Sequence, residues 1–446
     1  MKVFIAGAGD VGYHIAEQLV LDGKDVVLVE GDKERAKNVG LRLDCMVVTG
    51  DATDIGVLRD AGIEDAAAFI AATDSDEANM ISCFVVAGEF NIPLKIARVK
   101  SLKYEGTRFA SNIYGVDYIV NPEIEAAKAI MSTIQHGATS DIFSFNGTDI
   151  QLRDIYIDDE HVFLGKSLKD IKGAIKESFI VAGIIREDDV IVPRGDTVIE
   201  DGDHVFIVAS VKTFEKLLAR IGMPKKRIKS VVIVGAGRMG LYVAENLLKL
   251  GRNVKIIEKD YDLCRHVATD YPAALVINGD ISDKGVFDDG QLAGCDLIVT
   301  TTGNEELNIL TAIYAKYLGV KKSIALVNNI NYLQICAELG INATVSPKIS
   351  SVNAVLKCMR RGNVLNVFKV FDGRAEVIEF SLSGSSPLCS KALRDTKLPE
   401  GSLVVAVSRG DEHIIPDGNF VMREDDRIVT FSAKDASAAV TEMFSG

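Results

Sequence analysis

The chain has 446 residues, of which 48% are hydrophobic and 25% are charged, and its formal net charge is −13. The length predicts two to four globular domains, and the acidic balance disfavours nucleic-acid binding and direct adsorption to anionic lipid, both of which need clustered Lys and Arg. No apolar stretch approaches the roughly 20 residues of a membrane helix and no signal peptide is recognisable, so we expect a soluble, cytoplasmic protein.

The first 136 residues alternate apolar runs with amphipathic segments. We predict strands at 2–7, 25–30, 45–49, 67–72, 95–99 and 117–120, and helices at 11–21, 33–42, 76–89 and from Pro122 onwards. This order predicts an α/β domain over 1–136, with a doubly wound parallel sheet of Rossmann type and helices on both faces.

A glycine-rich motif, Gly7-Ala8-Gly9-Asp10-Val11-Gly12, follows the first strand and begins the first helix. In a nucleotide-binding fold, the first glycine permits the tight turn, the second lets a pyrophosphate approach the backbone, and the third allows close packing of helix on strand. The helix N-terminus offers free N–H groups to phosphate. The alternative is that these glycines serve helix packing alone.

Other polar residues lie at the predicted strand ends. Glu30 can accept hydrogen bonds from the ribose hydroxyls and would repel a 2′-phosphate, so NAD(H) is favoured over NADP(H). Asp51 is a candidate adenine neighbour or, alternatively, a turn residue. Thr73 and Asp74 end the fourth strand beside the crevice, and Arg98 is a cation at the end of the fifth.

A smaller α+β domain is predicted over 137–222, with strands near 151–157, 178–185, 190–192 and 204–209 and helices near 167–171 and 211–220. Residues 223–229 are basic, contain a proline, and interrupt both patterns, as a linker does. The boundary between the large and small domains is expected near His136–Ser140.

The second half of the chain repeats the first, because residues 231–258 match residues 3–30 at a constant offset of 228. We therefore predict a second Rossmann-type domain at 230–361, which ends near Arg361–Asn363, and a second small domain at 362–446. The second site comprises Gly235, Ala236, Gly237, Arg238, Met239, Gly240, Glu258, Asp280 and Thr302.

The two predicted sites are not identical. Arg238 replaces Asp10 and could face phosphate, whereas Leu326 replaces the cation Arg98. We therefore expect the sites to differ in affinity or in preferred ligand. Asp280, like Asp51, has the alternative interpretation of a turn residue.

No catalytic group is predicted. His161, His204 and His413 are interpreted as solvent-exposed, and the cysteines and histidines have no spacing typical of a metal site. Binding without catalysis is the simpler interpretation. The apolar helix faces near Ile124–Ile134 and Val352–Met359 are interpreted as core rather than as contacts between subunits.

The order of motifs resembles the RCK (or KTN) family. The resemblance includes the glycine motif, Asp76-Glu77-Ala78-Asn79, the strand Ile96–Val99, and the small-domain segments Pro193–Thr197 and Asp201–Asp203. Duplicated on one chain, these motifs resemble the TrkA family of peripheral subunits of potassium-uptake systems.

The resemblance implies a regulatory subunit without enzymatic activity, which binds NAD(H) or ATP/ADP and gates a membrane potassium transporter of the TrkH/TrkG type. It also implies that four chains form an eight-domain ring at the inner face of the membrane. One departure is that Asp417-Gly418-Asn419 replaces Gly195-Asp196-Thr197, which puts a common ligand of the two small domains in doubt. The alternatives are an NAD-dependent oxidoreductase and a nucleotide-sensing subunit of another transporter.

Overall fold

A computed structural model describes the chain except for 102–114, 136–141, 146–147, 160, 176, 188, 221–227, 284, 287–291, 293, 330, 360–363, 371–373, 411 and 446. The chain divides into two compact units. The first contains Met1–Ala138 and Ile228–Met359, and the second contains Thr139–Arg227 and Arg360–Gly446. The boundaries expected near residues 136–140 and 361–363, and most of the 223–229 linker, lie outside the described residues.

The first half of the first unit is a parallel six-stranded sheet with helices on both faces. Its strands are β1 Lys2–Ala6, β2 Asp25–Glu30, β3 Met46–Thr49, β4 Ala68–Ala71, β5 Lys95–Arg98 and β6 Tyr118–Val120. Its helices are α1 Asp10–Leu21, α2 Lys33–Gly40, α3 Ile55–Asp60, α4 Asp76–Glu89 and α5 Pro122–Gln135. The strand order β3-β2-β1-β4-β5-β6 is that of the dinucleotide-binding fold, which confirms the prediction.

The small domains contribute strands and helices to the second unit. From the first half these are β7 Ile142–Ser144, β8 Ile150–Tyr156, β9 Phe179–Arg186, β10 Asp189–Ile191, β11 His204–Ser210, α6 Leu168–Ala174 and α7 Val211–Arg220. They form an antiparallel sheet in the order β10-β9-β11-β8-β7. The sequence predicts four of these five strands, because the short strand β7 has no extended apolar pattern.

The second half repeats both folds. Its Rossmann-type part contains β12 Ser230–Val234, α8 Arg238–Lys249, β13 Asn253–Glu258, α9 Tyr261–Asp270, β14 Leu275–Asn278, β15 Leu297–Thr300, α10 Glu305–Tyr317, β16 Lys322–Leu326, α11 Asn331–Glu338, β17 Ala343–Val345 and α12 Pro347–Met359. Its small part contains β18 Val364–Val370, β19 Ala375–Ser381, β20 Ser402–Arg409, β21 Glu412–Ile414, β22 Arg427–Ala433 and α13 Lys434–Ser445. The strand orders are β14-β13-β12-β15-β16-β17 and β18-β19-β22-β20-β21.

Local sequence explains where these elements begin. The central strands β1 and β4 are apolar and buried at nearly every position, as expected for a parallel sheet covered on both faces. Asp32 caps α2 and Ser75 caps α4, each by accepting a hydrogen bond from a backbone N–H of the first turn. Within the described residues, no helix is both long enough and apolar enough to cross a bilayer.

The two Rossmann-type halves exchange their last helices. The buried face of α5 packs with the core formed by β12, β13 and α8, whereas the buried face of α12 packs with the core formed by β1, β2 and α1. The interpretation of both faces as core is confirmed, but each lies in the core of the other half. Apolar periodicity shows that a face is buried and does not show where.

In the second unit, a buried carboxylate stabilises each small sheet. Asp203 is fully buried and accepts two hydrogen bonds from Arg186, at 2.8 and 2.9 Å. Asp426, also fully buried, accepts two from Arg409, at 2.7 and 2.8 Å. The motif around Asp201–Asp203, which belongs to the resemblance, therefore ends in a side chain whose role here is structural.

The interpretation of the histidines as solvent-exposed is wrong for His161, which is buried. Its ring contacts that of Phe163, and the backbone N–H of Phe163 donates to its Nδ1 at 3.2 Å. Burial lowers the pKa of His161, so the neutral ring is favoured. His204 is half-buried and lies 2.7 Å from Asp154.

Candidate functional site

The first glycine motif forms the turn between β1 and α1. Gly7 has φ of +95°, a conformation that favours glycine. A Cβ on Gly12 would lie 1.9 Å from the carbonyl oxygen of Gly7, so only glycine lets the helix approach the turn. Gly235 and Gly240 repeat both features, with φ of +98° and a Cβ distance of 2.1 Å. The backbone conformation or the close packing therefore explains why glycine occupies these four positions.

Neither the backbone conformation nor close packing requires glycine at the middle position of each motif. Gly9 has φ −66° and ψ −179°, an extended conformation open to any residue, and the nearest heavy atom to an added Cβ would be 3.9 Å away. Gly237 is similarly extended, and an added Cβ would have no heavy atom within 4 Å. Neither helix start is capped by a side chain. The space beside these backbones is therefore open next to free helix N–H groups.

The strand-terminal glutamates bind the glycine turns. Glu30 is only 6% exposed, and its carboxylate accepts hydrogen bonds from the backbone N–H of Ala8 at 2.6 Å and of Asp32 at 2.8 Å. In the second half, Glu258 accepts from Ala236 at 2.8 Å and Asp260 at 3.0 Å. Each carboxylate oxygen has two lone pairs, so these bonds leave acceptor capacity for a ribose hydroxyl.

Two buried asparagines join the ends of neighbouring strands. The side chain of Asn79 accepts from the backbone N–H of Thr73 at 2.8 Å and donates to the carbonyl of Arg98 at 2.8 Å. Asn308 makes the same connection between Thr302 and Leu326. The motifs of the sequence do not predict these asparagines as site residues, although the two occupy equivalent positions of the repeat.

Asp51 and Asp280, which follow β3 and β14, both form the hydrogen bonds typical of turn residues. Asp51 Oδ1 accepts from the backbone N–H and the hydroxyl of Thr53, each at 2.8 Å. Asp280 makes the same two bonds to Ser282, which lower the pKa of Asp280. Asp51 also lines a cavity of about 410 Å³ with Gly7, Glu30 and Thr73. A role in contacting an adenine stays a prediction.

A second cavity, of about 660 Å³, lies beside the start of α1. It is lined by the cations Arg35, Arg42, Arg98 and Lys348 and by two carboxylates, including Asp10. The sequence identified Arg98 among the cations and missed the others, because α2 and α12 reach this cavity only through tertiary packing. The cavity suits an anion that can neutralise the excess of positive charge.

Arg98 is only partly satisfied by its protein neighbours. It donates to the carbonyl of Thr73 at 3.0 Å and lies 3.4 Å from the exposed carboxylate of Asp74. Its Nε–H is buried and has no partner among the described residues. A buried donor without a partner is costly, and a phosphate in the cavity would satisfy it.

The second half lacks three of these cations. Leu263, Asp270 and Leu326 occupy the positions that Arg35, Arg42 and Arg98 have in the first half. The aspartate caps of α2 and α9 fix this alignment, because both accept a hydrogen bond from the N–H three residues later. The positive charge around the two glycine turns thus differs by more than the replacements at Asp10 and Arg98 alone.

Arg238, in the second glycine turn, contacts the first half of the chain. Its guanidinium forms an ion pair with Glu123, at 2.7 Å between Nε and Oε2, and donates to the carbonyl of Lys100 at 3.2 Å. Asp10, the equivalent residue of the first half, forms an ion pair with Lys348, which lowers the pKa of Asp10. Arg238 thus makes a contact between the halves, and its contact with phosphate stays a prediction.

The remaining predicted site residues support the turns from below. Ala8 and Val11 are buried in the core beneath the first turn, and Met239 packs against the core of the second half.

Among the described residues, no group of three His, Cys, Asp or Glu side chains could hold a metal ion. The strongly shifted thiol, Cys83, has its pKa raised to about 12 by burial, which favours an inert thiol.

Family models match nearly the whole chain. The TrkA-N domain matches residues 3–122 and 231–347, and the TrkA-C domain matches residues 152–222 and 377–445. The Trk system potassium uptake protein TrkA of Halomonas elongata is 32% identical over 437 residues, covering 97% of this chain and 95% of that protein. The TrkA homolog 1 of Methanosarcina mazei is 32% identical over 452 residues, covering 100% of both.

Solved structures show the same fold. A structure of the GsuK channel bound to NAD has a TM-score of 0.56 at 18% identity, covering 99% of this chain and 78% of that one. The GsuK RCK domain has a TM-score of 0.56 at 17% identity, covering 99% and 94%. The family models, the full-length relatives and the duplicated fold agree, and the chain belongs to the TrkA family.

Proposed function

We propose that this protein is the nucleotide-binding regulatory subunit of a Trk-type potassium-uptake system, and that it binds NAD(H) or the adenine nucleotides ATP and ADP. Full-length relatives carry the name of Trk potassium uptake proteins, and a protein of the same fold has been solved bound to NAD. Catalysis is not part of the proposal, because relatives are named for transport and the turns present binding groups.

The open space at Gly9 carries the proposal. Glycines kept only for packing would be explained by their conformation or by close neighbours, as Gly7 and Gly12 are. Gly9 has neither explanation, and it lies at an uncapped helix start that lines both cavities. A bound phosphate explains why a side chain is excluded there.

The first site should bind more tightly than the second. Its cavity has four cations, and Arg98 has a buried donor without a partner among the described residues. In the second half, Leu263, Asp270 and Leu326 supply no positive charge at the matching positions. Because phosphates of NAD and ATP are anionic, the loss of three cations weakens their binding.

A ligand in the cavity of about 660 Å³ would contact both halves of the first unit. The lining residues come from α1 and α2 of the first half and include Lys348 of α12 in the second half. A nucleotide can shift a conformation only through different affinities for two states. Contact with both halves supplies such a difference, because their separation would change the distance from phosphate to Lys348.

We also propose that the protein is cytoplasmic and acts at the inner face of the membrane by binding a membrane subunit of the TrkH/TrkG type. Four chains would assemble into a ring. The outer faces of α4 and α10 support self-association, because they expose the large apolar side chains of Ile81, Phe84, Leu310 and Tyr317, which are 51%, 51%, 65% and 84% exposed.

Titration calorimetry tests nucleotide binding. NADH, NAD, ATP and ADP are titrated separately into the wild type and into the matched variants Glu30→Ala and Glu258→Ala. We expect the stronger binding event to be weakened by Glu30→Ala and little affected by Glu258→Ala. If the wild type releases no heat with any of the four nucleotides at millimolar concentration, and equilibrium dialysis also detects no uptake, the proposal is wrong.

Ion flux tests regulation. The protein is reconstituted in vesicles with its membrane partner, and potassium flux is recorded with and without each nucleotide that binds. A nucleotide-dependent flux is expected in the wild type, and in Glu30→Ala, which binds more weakly, the same response should require a higher nucleotide concentration. Binding without any change in flux would refute the regulatory role and leave nucleotide binding intact.

A further inference from the structure

The two halves of the first unit meet through equivalent helix ends. Lys348, the second residue of α12, forms an ion pair with Asp10, the first residue of α1. Glu123, the second residue of α5, forms an ion pair with Arg238, the first residue of α8, with nitrogen–oxygen distances of 2.7 and 2.8 Å. The same helix ends are thus used twice.

The signs of the charges are reversed between the two contacts. Asp10 and Arg238 are equivalent in the repeat, as are Glu123 and Lys348, each of which follows the first proline of its helix. The first half therefore presents two acids, and the second half presents two bases. Opposite charges meet in both contacts only when a first half pairs with a second half.

The apolar contacts of the same interface distinguish like from unlike pairs of halves much less than the ion pairs do. The buried faces of α5 and α12 match position by position, and at all but one position the residues are of similar size: Ala126 with Ser351, Ile130 with Val355, Met131 with Leu356, and Ile134 with Met359, the exception being Ala127 with Val352. Cores accept exchanges between aliphatic residues of similar volume at low cost. Packing alone would therefore tolerate the pairing of two like halves from separate chains.

We propose that the ion pairs Asp10–Lys348 and Glu123–Arg238 select the pairing of the first half with the second half, and disfavour the pairing of like halves from two copies of the chain. In a pair of first halves, Asp10 would face Glu123 at both contacts. In a pair of second halves, Arg238 would face Lys348 at both. This is specificity through repulsion in the wrong complex.

The size of the effect follows from exposure. The four side chains are between 31% and 67% exposed, so each pair alone stabilises its contact only slightly. A wrong pairing replaces two attractions by two repulsions, which together give a preference on the order of tenfold at low salt. At about 1 M salt, where screening acts over roughly 3 Å, the preference should largely disappear.

The test uses the full chain with its charges rearranged. The double variant Glu123→Lys/Lys348→Glu keeps the net charge but makes each half complementary to its own kind in a second copy. We expect the concentration at which chains associate to fall about tenfold at low salt, as measured by sedimentation velocity. The quadruple variant Asp10→Lys/Glu123→Lys/Arg238→Glu/Lys348→Glu restores opposite charges between the two halves, and should behave as the wild type.

Zero-length carbodiimide cross-linking identifies which halves are paired. In the wild type we expect an amide between Asp10 and Lys348 within one chain, found by peptide mass spectrometry at the mass of a single chain. In the double variant we expect Asp10 joined to the introduced lysine at position 123 of a second copy, at the mass of two chains. Circular dichroism checks that each variant is folded.

Two results would overturn the proposal. One is a folded double variant that associates as the wild type does at low salt and gives no amide between Asp10 and the lysine at position 123 of a second copy. The other is a quadruple variant that still associates as the double variant does, since charge sign would then not be the cause. If the double variant fails to fold, the quadruple variant is compared with the wild type: equal association at low salt supports the proposal, and association at a lower concentration than the wild type overturns it. No nucleotide is used, so the outcome is independent of the proposed function.

Discussion

Replacing Gly9 by alanine separates nucleotide binding from folding. The added methyl group has no heavy atom closer than 3.9 Å, and the backbone is extended, so the protein accepts the side chain. Alanine is a poorer helix cap than glycine but restricts the unfolded chain, and these effects nearly cancel, within about 1 kcal/mol. We therefore expect an unfolding midpoint close to that of the wild type.

The same methyl group fills the space proposed for phosphate. Loss of a single charge-assisted hydrogen bond to a phosphate costs about 1.5–3 kcal/mol, which corresponds to a loss of affinity of about tenfold to a hundredfold. At a ligand concentration of 100 times Kd, binding stabilises the wild type by about 2.7 kcal/mol. Gly9→Ala should lose about half or more of this ligand-dependent stabilisation, seen as a smaller increase in melting temperature, and calorimetry should show the weaker binding directly.

The neighbouring glycine gives the opposite result and serves as a control. In Gly12→Ala the new Cβ would lie 1.9 Å from the carbonyl oxygen of Gly7, so the turn or the helix must move. We expect a loss of about 3 kcal/mol or more in stability without nucleotide. Gly237→Ala matches Gly9→Ala in the second half. If Gly9→Ala binds NADH and ATP as tightly as the wild type, the space beside Gly9 does not belong to a ligand.

Three further predictions concern stability. Asp203→Asn leaves Arg186 paired only with the exposed Glu200 and should cost about 2 kcal/mol or more in urea unfolding, whereas the exposed control Asp201→Asn should not; equal effects would contradict the role of the ion pair. Lys321 lowers the pKa of Asp296 from 3.8 to about 2, so the carboxylate contributes at most about 2.5 kcal/mol, present above about pH 4 and lost as the pH falls towards 2. Asp296→Asn should flatten this acid limb of stability, and an unchanged slope would refute it. Asn79→Ala removes the bonds between two strand ends and should lower stability by about 3 kcal/mol in thermal unfolding, and a change below about 0.5 kcal/mol would argue against that connection.

The sequence predicts the parallel sheets well because they depend on short-range signals. Runs such as Val26–Val29 are apolar and β-branched, and the glycines mark the turns where helices begin. The sequence does not predict the helix Ile55–Asp60, since six residues give too little periodicity. Its N-cap, Asp54, was the available signal.

The cation cluster could not be predicted from spacing. Arg35 and Arg42 lie on and just after α2, and Lys348 is more than 300 residues later in the chain. They converge only because the last helix of the second half packs on the first half. The repeat did contain a usable clue, because comparing the halves at position 35 shows arginine replaced by leucine.

The exchange of α5 and α12 has a consequence for biosynthesis. About 100 residues separate the end of α5 from the start of α8, so at 5–20 residues per second the ribosome needs roughly 5–20 s to deliver the partner of α5. The buried face of α1 is without its packing partner for longer still, until residues Val352–Met359 have been synthesised. The core beneath the first glycine turn is therefore completed only after more than 300 further residues have been synthesised.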